Sequence, residues 1–232
     1  TQSDGMSANR YALLSFSREK TGIITRFCEK TSGPFMLTPF LLSLLCRSYA
    51  LLLDELPVPG NILIPMSVDL RGRAGIARDA VFFNQWSLQP LLIPRELCVN
   101  PEAVFAELKG QIFENMSEQL PQAFRAASRL GRIAPFPFLM SLVNKTKRTG
   151  CGTFMYSFLS ESSLKSSEFC GHRILNLYHI PSMPPVTGAG VFMNSFGGAL
   201  NVTLSYREDS LTPNAVRRFI SSFVSALPKE AQ

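Results

Sequence analysis

Histidine is nearly absent from this sequence: two in 232 residues, His172 and His179. Any mechanism built on a tight histidine pair has little to draw on. Neither His has a nucleophile and an orienting carboxylate nearby in sequence, so neither reads as a catalytic base. The five cysteines, Cys28, Cys46, Cys98, Cys151 and Cys170, include no C-x-x-C pair, which argues against a structural zinc site. No metal is expected. An odd number of scattered cysteines is the usage of reduced thiols and implies a cytoplasmic setting. Cys28 and Cys46 fall in apolar helical patterns and read as packing residues. One Trp and five Tyr stand against 18 Phe. That balance suits core and apolar channel walls better than sugar- or base-stacking surfaces. The strings G-x-S-x-G, G-x-x-x-x-G-K-[ST] and H-E-x-x-H do not occur, which removes the commonest hydrolase, nucleotide and zinc-protease signatures. Gly188-Ala189-Gly190 precedes a strand rather than a helix, and reads as a turn instead of a phosphate cradle. The opening TQSDGMSANR is polar and resembles no secretory signal. It begins with Thr rather than Met, so a longer parent chain is expected. The greasiest stretch, residues 35–56, is interrupted by Pro39, Arg47, Asp54 and Glu55. It is too short to span a bilayer and reads as a buried helix.

What remains is ordinary globular material. A hydrophobic content of 46% excludes disorder along the whole chain, and the length suits a single domain over residues 1–232. The net charge of +6 is modest, and its basic residues are not interleaved with aromatics, so no nucleic-acid partner is expected. Residues 10–16 predict a strand leading into a helix at 17–31. Thr38-Pro39 reads as an N-cap followed by proline at the first helical position, opening a helix to about residue 56. NILIPMSVDL is a strand, and a second is expected over 81–93. Asn100-Pro101 repeats the cap-then-proline signal for a helix to about 116. Helices over 118–130 and 135–149 follow. Strands are predicted at 153–158, 173–180, 189–194 and 199–206, the last two forming a hairpin at Phe196-Gly197-Gly198. Thr212-Pro213 opens a final amphipathic helix. The order is strand, two helices, two strands, three helices, four strands and a helix: an α/β protein with a mixed β-sheet and flanking helices.

Two groups of charges stand out. The strand ending Ile64-Pro65-Met66-Ser67-Val68-Asp69 delivers an acid, and then Arg71 and Arg73, at its carboxyl end. Guanidinium is the group suited to pairing a carboxylate bidentately, although a solvated loop cluster gives the same pattern. Lys145, Lys147 and Arg148 read as a solvated helix end, where cations suit the dipole.

The ordered set of Ser17 to Lys30, Thr38-Pro-Phe-Leu-Leu-Ser-Leu-Leu, the Ile64–Arg73 strand, Phe83-Asn84 and Met193–Tyr206 resembles one half of a known superfamily. These are the chloramphenicol-acetyltransferase-like acyltransferases: condensation domains, wax-ester synthases, alcohol acyltransferases and BAHD enzymes. The match is to the carboxyl-terminal lobe of a two-lobed fold. Phe83 stands where the family has Gly. The family's H-H-x-x-x-D motif belongs to the other lobe, and no such string occurs here. The resemblance therefore implies no catalytic residue in this chain. It implies that Arg71, with Arg73 in reserve, pairs with the motif's Asp, and that Ser195-Phe196-Gly197-Gly198 is a structural loop. The implied donor is an acyl-CoA or phosphopantetheine thioester, with no covalently bound cofactor, and the acceptor is a hydroxyl or amine. The implied partners are the missing N-terminal lobe, an acyl carrier protein, or a second copy covering an apolar lobe face. The alternative on the same half-fold is a non-catalytic acyl-carrier or protein-binding module.

Overall fold

The computed structural model describes residues 7–53, 60–72, 76–77, 85–131, 133–149, 153–161, 168–183 and 187–229. Strand β1 (Asn9–Phe16) leads into α1 (Arg18–Ser32) and α2 (Leu37–Leu53). Strands β2 (Ile62–Asp69) and β3 (Trp86–Ile93) follow, then a 3₁₀ turn (Arg95–Val99) and α3 (Pro101–Ser117), α4 (Leu120–Leu130) and α5 (Phe136–Thr149). The rest is β4 (Met155–Glu161), the short pair β5 (Glu168–Phe169) and β6 (His172–Arg173), the hairpin β7 (Ala189–Phe196) and β8 (Ala199–Arg207), and α6 (Pro213–Ala226).

Local chemistry sets most of the helix starts. Asn100 Oδ1 accepts from the amides of Glu102 and Ala103, and Pro101 sits at the first helical position. Thr212 does the same for α6 through the amide of Ala215, with Pro213 following. Ser17 caps α1 through the amide of Lys20. The expected Thr38 cap is corrected: α2 starts at Leu37, and Pro39 lies within the first turn, where its missing N–H has no intrahelical partner to lose.

Six strands form one mixed sheet in the order β1-β8-β7-β4-β2-β3. Strands β2, β4 and β7 run parallel, and the other pairings are antiparallel. Ile62, Ile64, Leu91, Ile93, Tyr156, Val191, Met193, Val202 and Leu204 point to one face and join α2, α3 and α6 in a single buried cluster. Helix α2 is its centre, buried nearly all round, as an all-apolar helix must be. Tyr49 stacks on Phe154 at 5.0 Å and meets Phe219 edge-on at 5.9 Å. No single helix among the described residues is long and apolar enough to cross a membrane.

The predicted strand at 173–180 is corrected. Only His172–Arg173 pairs as strand, with Glu168–Phe169. Residues 174–183 instead form an irregular strap, three of whose amides bond to asparagine side chains. The Leu177, His179 and Met183 amides donate to Oδ1 of Asn176, Asn194 and Asn9. Asn201 of β8 is the hub. Its Oδ1 accepts from Ser15 Oγ and Asn176 Nδ2, and its Nδ2 donates to Asn176 Oδ1 and the Leu177 carbonyl.

At the β3 edge, side chains of α3 stand in for a neighbouring strand. Leu92 donates its N–H to Gln111 Oε1 at 2.8 Å and accepts from Gln111 Nε2 at 2.7 Å. Asn115 Nδ2 donates to the Pro90 carbonyl at 3.1 Å, and Pro90 has no N–H to satisfy.

Candidate functional site

The parallel strands β2, β4 and β7 end on the same side of the sheet, the side where open α/β sheets place their ligand crevices. Strand β2 delivers Asp69 there. Leu70 is fully buried, and its amide donates to the Gln85 carbonyl at 2.9 Å, which anchors the turn. Gly72 takes a positive φ of 74°, a conformation that favours glycine. This geometry folds Arg71 back on Asp69. The Arg71 amide donates to Asp69 Oδ1 at 2.9 Å, Nε reaches both carboxylate oxygens at 3.0 and 2.8 Å, and a terminal nitrogen lies 2.6 Å from Oδ2. The hydrogen bond to Asp69, then its charge, raises the pKa of Arg71 above its ordinary value. Both side chains are over 40% exposed, so the pair contributes at most about 1 kcal/mol to stability. The pair holds the guanidinium at the carboxyl end of β2.

Ser195, Phe196, Gly197 and Gly198 form the tip of the β7–β8 hairpin, on the same side of the sheet as Asp69. Gly197 and Gly198 have φ of 58° and 80°, the pattern of a two-residue type I′ turn. A Cβ at Gly198 would lie 3.1 Å from Arg18 Cγ. Arg73 and Phe83-Asn84 lie outside the described residues. His172 is exposed. His179 is half-buried against Phe192 at 5.7 Å, and burial lowers its pKa. Lys145 is exposed, while the side chains of Lys147 and Arg148 are outside the described set. Among the described residues no cluster of three His, Cys, Asp or Glu side chains is placed to hold a metal.

Beneath Asp69 lies a groove that the sequence motifs do not mark. Its smaller part, about 350 Å³, is lined by Thr38, Ser67, Asp69, Gln89, Tyr156 and Phe158 among others. A larger part of about 770 Å³ opens between α3 and the start of α2, past Phe105, Gly110 and Phe113 to Phe35. Thr38, Met66, Ile112 and Met116 line both parts, so the two are adjacent and share a wall. Parity alone marks Gln89: it shares a face with Leu91 and Ile93, where an apolar residue is expected.

No family model matches the chain, and no curated protein matches it significantly. Solved structures do. The trichothecene 15-O-acetyltransferase of Fusarium sporotrichioides is similar over 95% of this chain and 46% of its own, at 18% identity and a TM-score of 0.65. The first condensation domain of the CDA synthetase covers 97% of this chain and 46% of its own, at 12% identity and a TM-score of 0.57. The wax ester synthase/diacylglycerol acyltransferase of Marinobacter aquaeolei VT8 covers 93% and 48%, at 10% identity and a TM-score of 0.53. This chain spans about half the length of each. Its mixed sheet, its flanking helices and this half-length match together show that it has the fold of one lobe of a chloramphenicol-acetyltransferase-like two-lobed fold.

Proposed function

We propose that the chain is the carboxyl-terminal half of an acyltransferase, which moves an acyl group from a CoA or carrier-protein thioester to a hydroxyl or amine acceptor in the cytoplasm. The observation that carries this reading is the match of nearly the whole chain to one half of an acetyltransferase and of a wax ester synthase. The base is the second His of an H-H-x-x-x-D motif in the other half. It takes the acceptor's proton as the acceptor oxygen or nitrogen attacks the thioester carbonyl. The carbon–sulfur bond then breaks, and the proton goes to the departing thiolate. Arg71 is a positioning residue. The Asp69 pair uses Nε and one terminal nitrogen, which leaves the other terminal nitrogen for the motif's Asp, with Arg73 in reserve. A charge-assisted hydrogen bond from that nitrogen holds that Asp, and through it the His. The sheet face turned away from α2 carries half-exposed Trp86, Leu92 and Leu159, an apolar surface suited to a covering body.

The test begins with the coding DNA upstream of Thr1, or a neighbouring gene, and an H-H-x-x-x-D half encoded there. Assembled with that half, the protein should release thiol from an acyl-CoA in the presence of an acceptor. Arg71→Ala should lower kcat about a hundredfold through a misplaced base, with KM for the donor little changed. Arg71→Lys should fail to restore it, because an ammonium lacks the fork that pairs Asp69 and leaves a further nitrogen for the second Asp. An unchanged kcat/KM refutes the role given to Arg71. The second reading, a non-catalytic acyl-carrier or protein-binding module, has in its favour that Asp69 already occupies Arg71 within this chain. It stands if no H-H-x-x-x-D half exists and the chain binds an acyl carrier protein without turnover.

A further inference from the structure

Gln89 is 1% exposed, and its Oε1 has no hydrogen-bond partner. Its Nε2 faces the thioether of Met66 at 4.0 Å, a weak acceptor. The side chain lies on the inner face of β3 opposite Met66 and lines the smaller part of the groove. A buried amide oxygen left unpaired penalises folding, and a Leu or Met there would match its neighbours Leu91 and Ile93. The unpaired oxygen is a group that an added donor would satisfy.

The rest of the groove defines what brings that donor. The compartment around Gln89 also holds the polar side chains of Thr38, Ser67 and Asp69. The larger compartment is lined almost wholly by apolar groups. Along its α3 wall, Ala106 and Gly110 follow one another at i, i+4 spacing, leaving a trough between the bulkier Phe105 and Phe113. Gly110 is a poor helix former in the middle of a helix, and a Cβ there would meet nothing of the chain within 4 Å. A polar compartment thus lies beside an apolar trough, both open to solvent and at volumes usual for small-molecule sites.

We propose that this groove binds a single unbranched hydrocarbon chain whose head carries one hydrogen-bond donor, the head seated on Gln89 Oε1 and the tail running over Ala106 and Gly110 to the mouth at Phe35 and Phe113. The donor is a hydroxyl or an amide N–H. Every residue involved belongs to this chain, so the site does not rest on the acyltransferase reading and needs no second lobe.

The test is calorimetric titration of the 232-residue chain with 1-decanol, with its methyl ether, and with N-octylacetamide. The alcohol, the amide or both should bind about tenfold more tightly than the ether, the ratio expected when a buried acceptor gains or lacks its donor. Preference for one of the two donors identifies a hydroxyl or an amide head. In Gln89→Met the preference over the ether should vanish while ether binding persists. Gly110→Leu fills the trough from an exposed helix position, so it should keep the fold and weaken all three probes at least tenfold. Equal affinity for all three probes in the unaltered chain, or no binding of any, overturns the proposal. Undiminished binding to Gly110→Leu overturns the placement of the tail even where Gln89→Met fails to fold.

Discussion

Replacing Asn201 by Leu removes the hub that ties the strap to the sheet. Asn201 is completely buried, and its amide takes part in four hydrogen bonds of 2.8–3.0 Å, to Ser15, twice to Asn176, and to the Leu177 carbonyl. At roughly 1 kcal/mol net for each, the loss approaches 4 kcal/mol. Leucine has similar volume and adds apolar burial, and the Leu177 carbonyl keeps a bond from Asn194 Nδ2 at 2.8 Å. The expected loss is therefore about 3 kcal/mol. Urea unfolding should show a midpoint lower by about 1 M, at a slope of about 3 kcal/mol per M for a chain of this size. Hydrogen exchange should quicken at the Leu177, His179 and Met183 amides before the central strands are affected. Asn176→Ala removes the strap's side of the same contacts, so the double variant should fall short of additivity by more than about 1 kcal/mol. A loss below about 1 kcal/mol, or additive single variants, would refute the idea that these amides act as a unit.

Phe35 is 95% exposed at a φ of 64°, so Phe35→Gly should leave stability unchanged or raise it by up to about 1 kcal/mol, because relief of left-handed strain offsets the extra freedom of the unfolded chain; a clear loss in thermal unfolding would mean that the ring packs. Burial pushes the Cys28 thiol up to about 11, with Glu29 adding to the shift, and holds Cys46 well above its ordinary 9.0. Burial also pushes Tyr49 from 10.0 up to about 12 and raises Tyr156 further. All four stay protonated when folded and ionise more easily when unfolded, so stability should fall as pH rises above about 9, by up to 1.4 kcal/mol per pH unit for each fully buried group; flat stability from pH 8 to 11 would contradict their burial. Cys170 is exposed while Cys28, Cys46 and Cys98 are buried, so a thiol reagent should label Cys170 in the native protein and the other three only with unfolding, as peptide mapping of the adducts will show.

Elements whose causes lie close together along the chain were legible in the sequence. Asn100-Pro101 and Thr212-Pro213 mark helix starts because cap and proline act within one turn. Thr38-Pro39 misled by a residue, since proline is tolerated anywhere in a first turn and only the amide of Phe40, bonded to the Met36 carbonyl, reveals where the helix opens. The strap at 174–183 has the extended, β-like composition of a strand, but its partners are asparagine side chains on distant strands, and no local pattern reports those. The same holds at the candidate site. Arg71 was visible at the end of a strand, whereas its closure on Asp69 depends on the turn through Gly72. Gln89 carried a signal in its parity, yet its unpaired oxygen exists only once α2 and α3 enclose it.

The glutamine and asparagine that α3 lays against β3 also bear on how this molecule meets others. An open strand edge invites any extended segment with matching spacing, including a second copy of the same edge, and that is how sheets grow into fibres. Here the Leu92 amide and carbonyl are both taken by Gln111, and the Pro90 carbonyl by Asn115. Proline contributes no donor that an incoming strand could use. The Pro90–Leu92 part of this margin is thus closed to templated growth. A companion that covers the half-exposed Leu92 must recognise the flat of the sheet by shape, because the backbone at Pro90 and Leu92 is already taken.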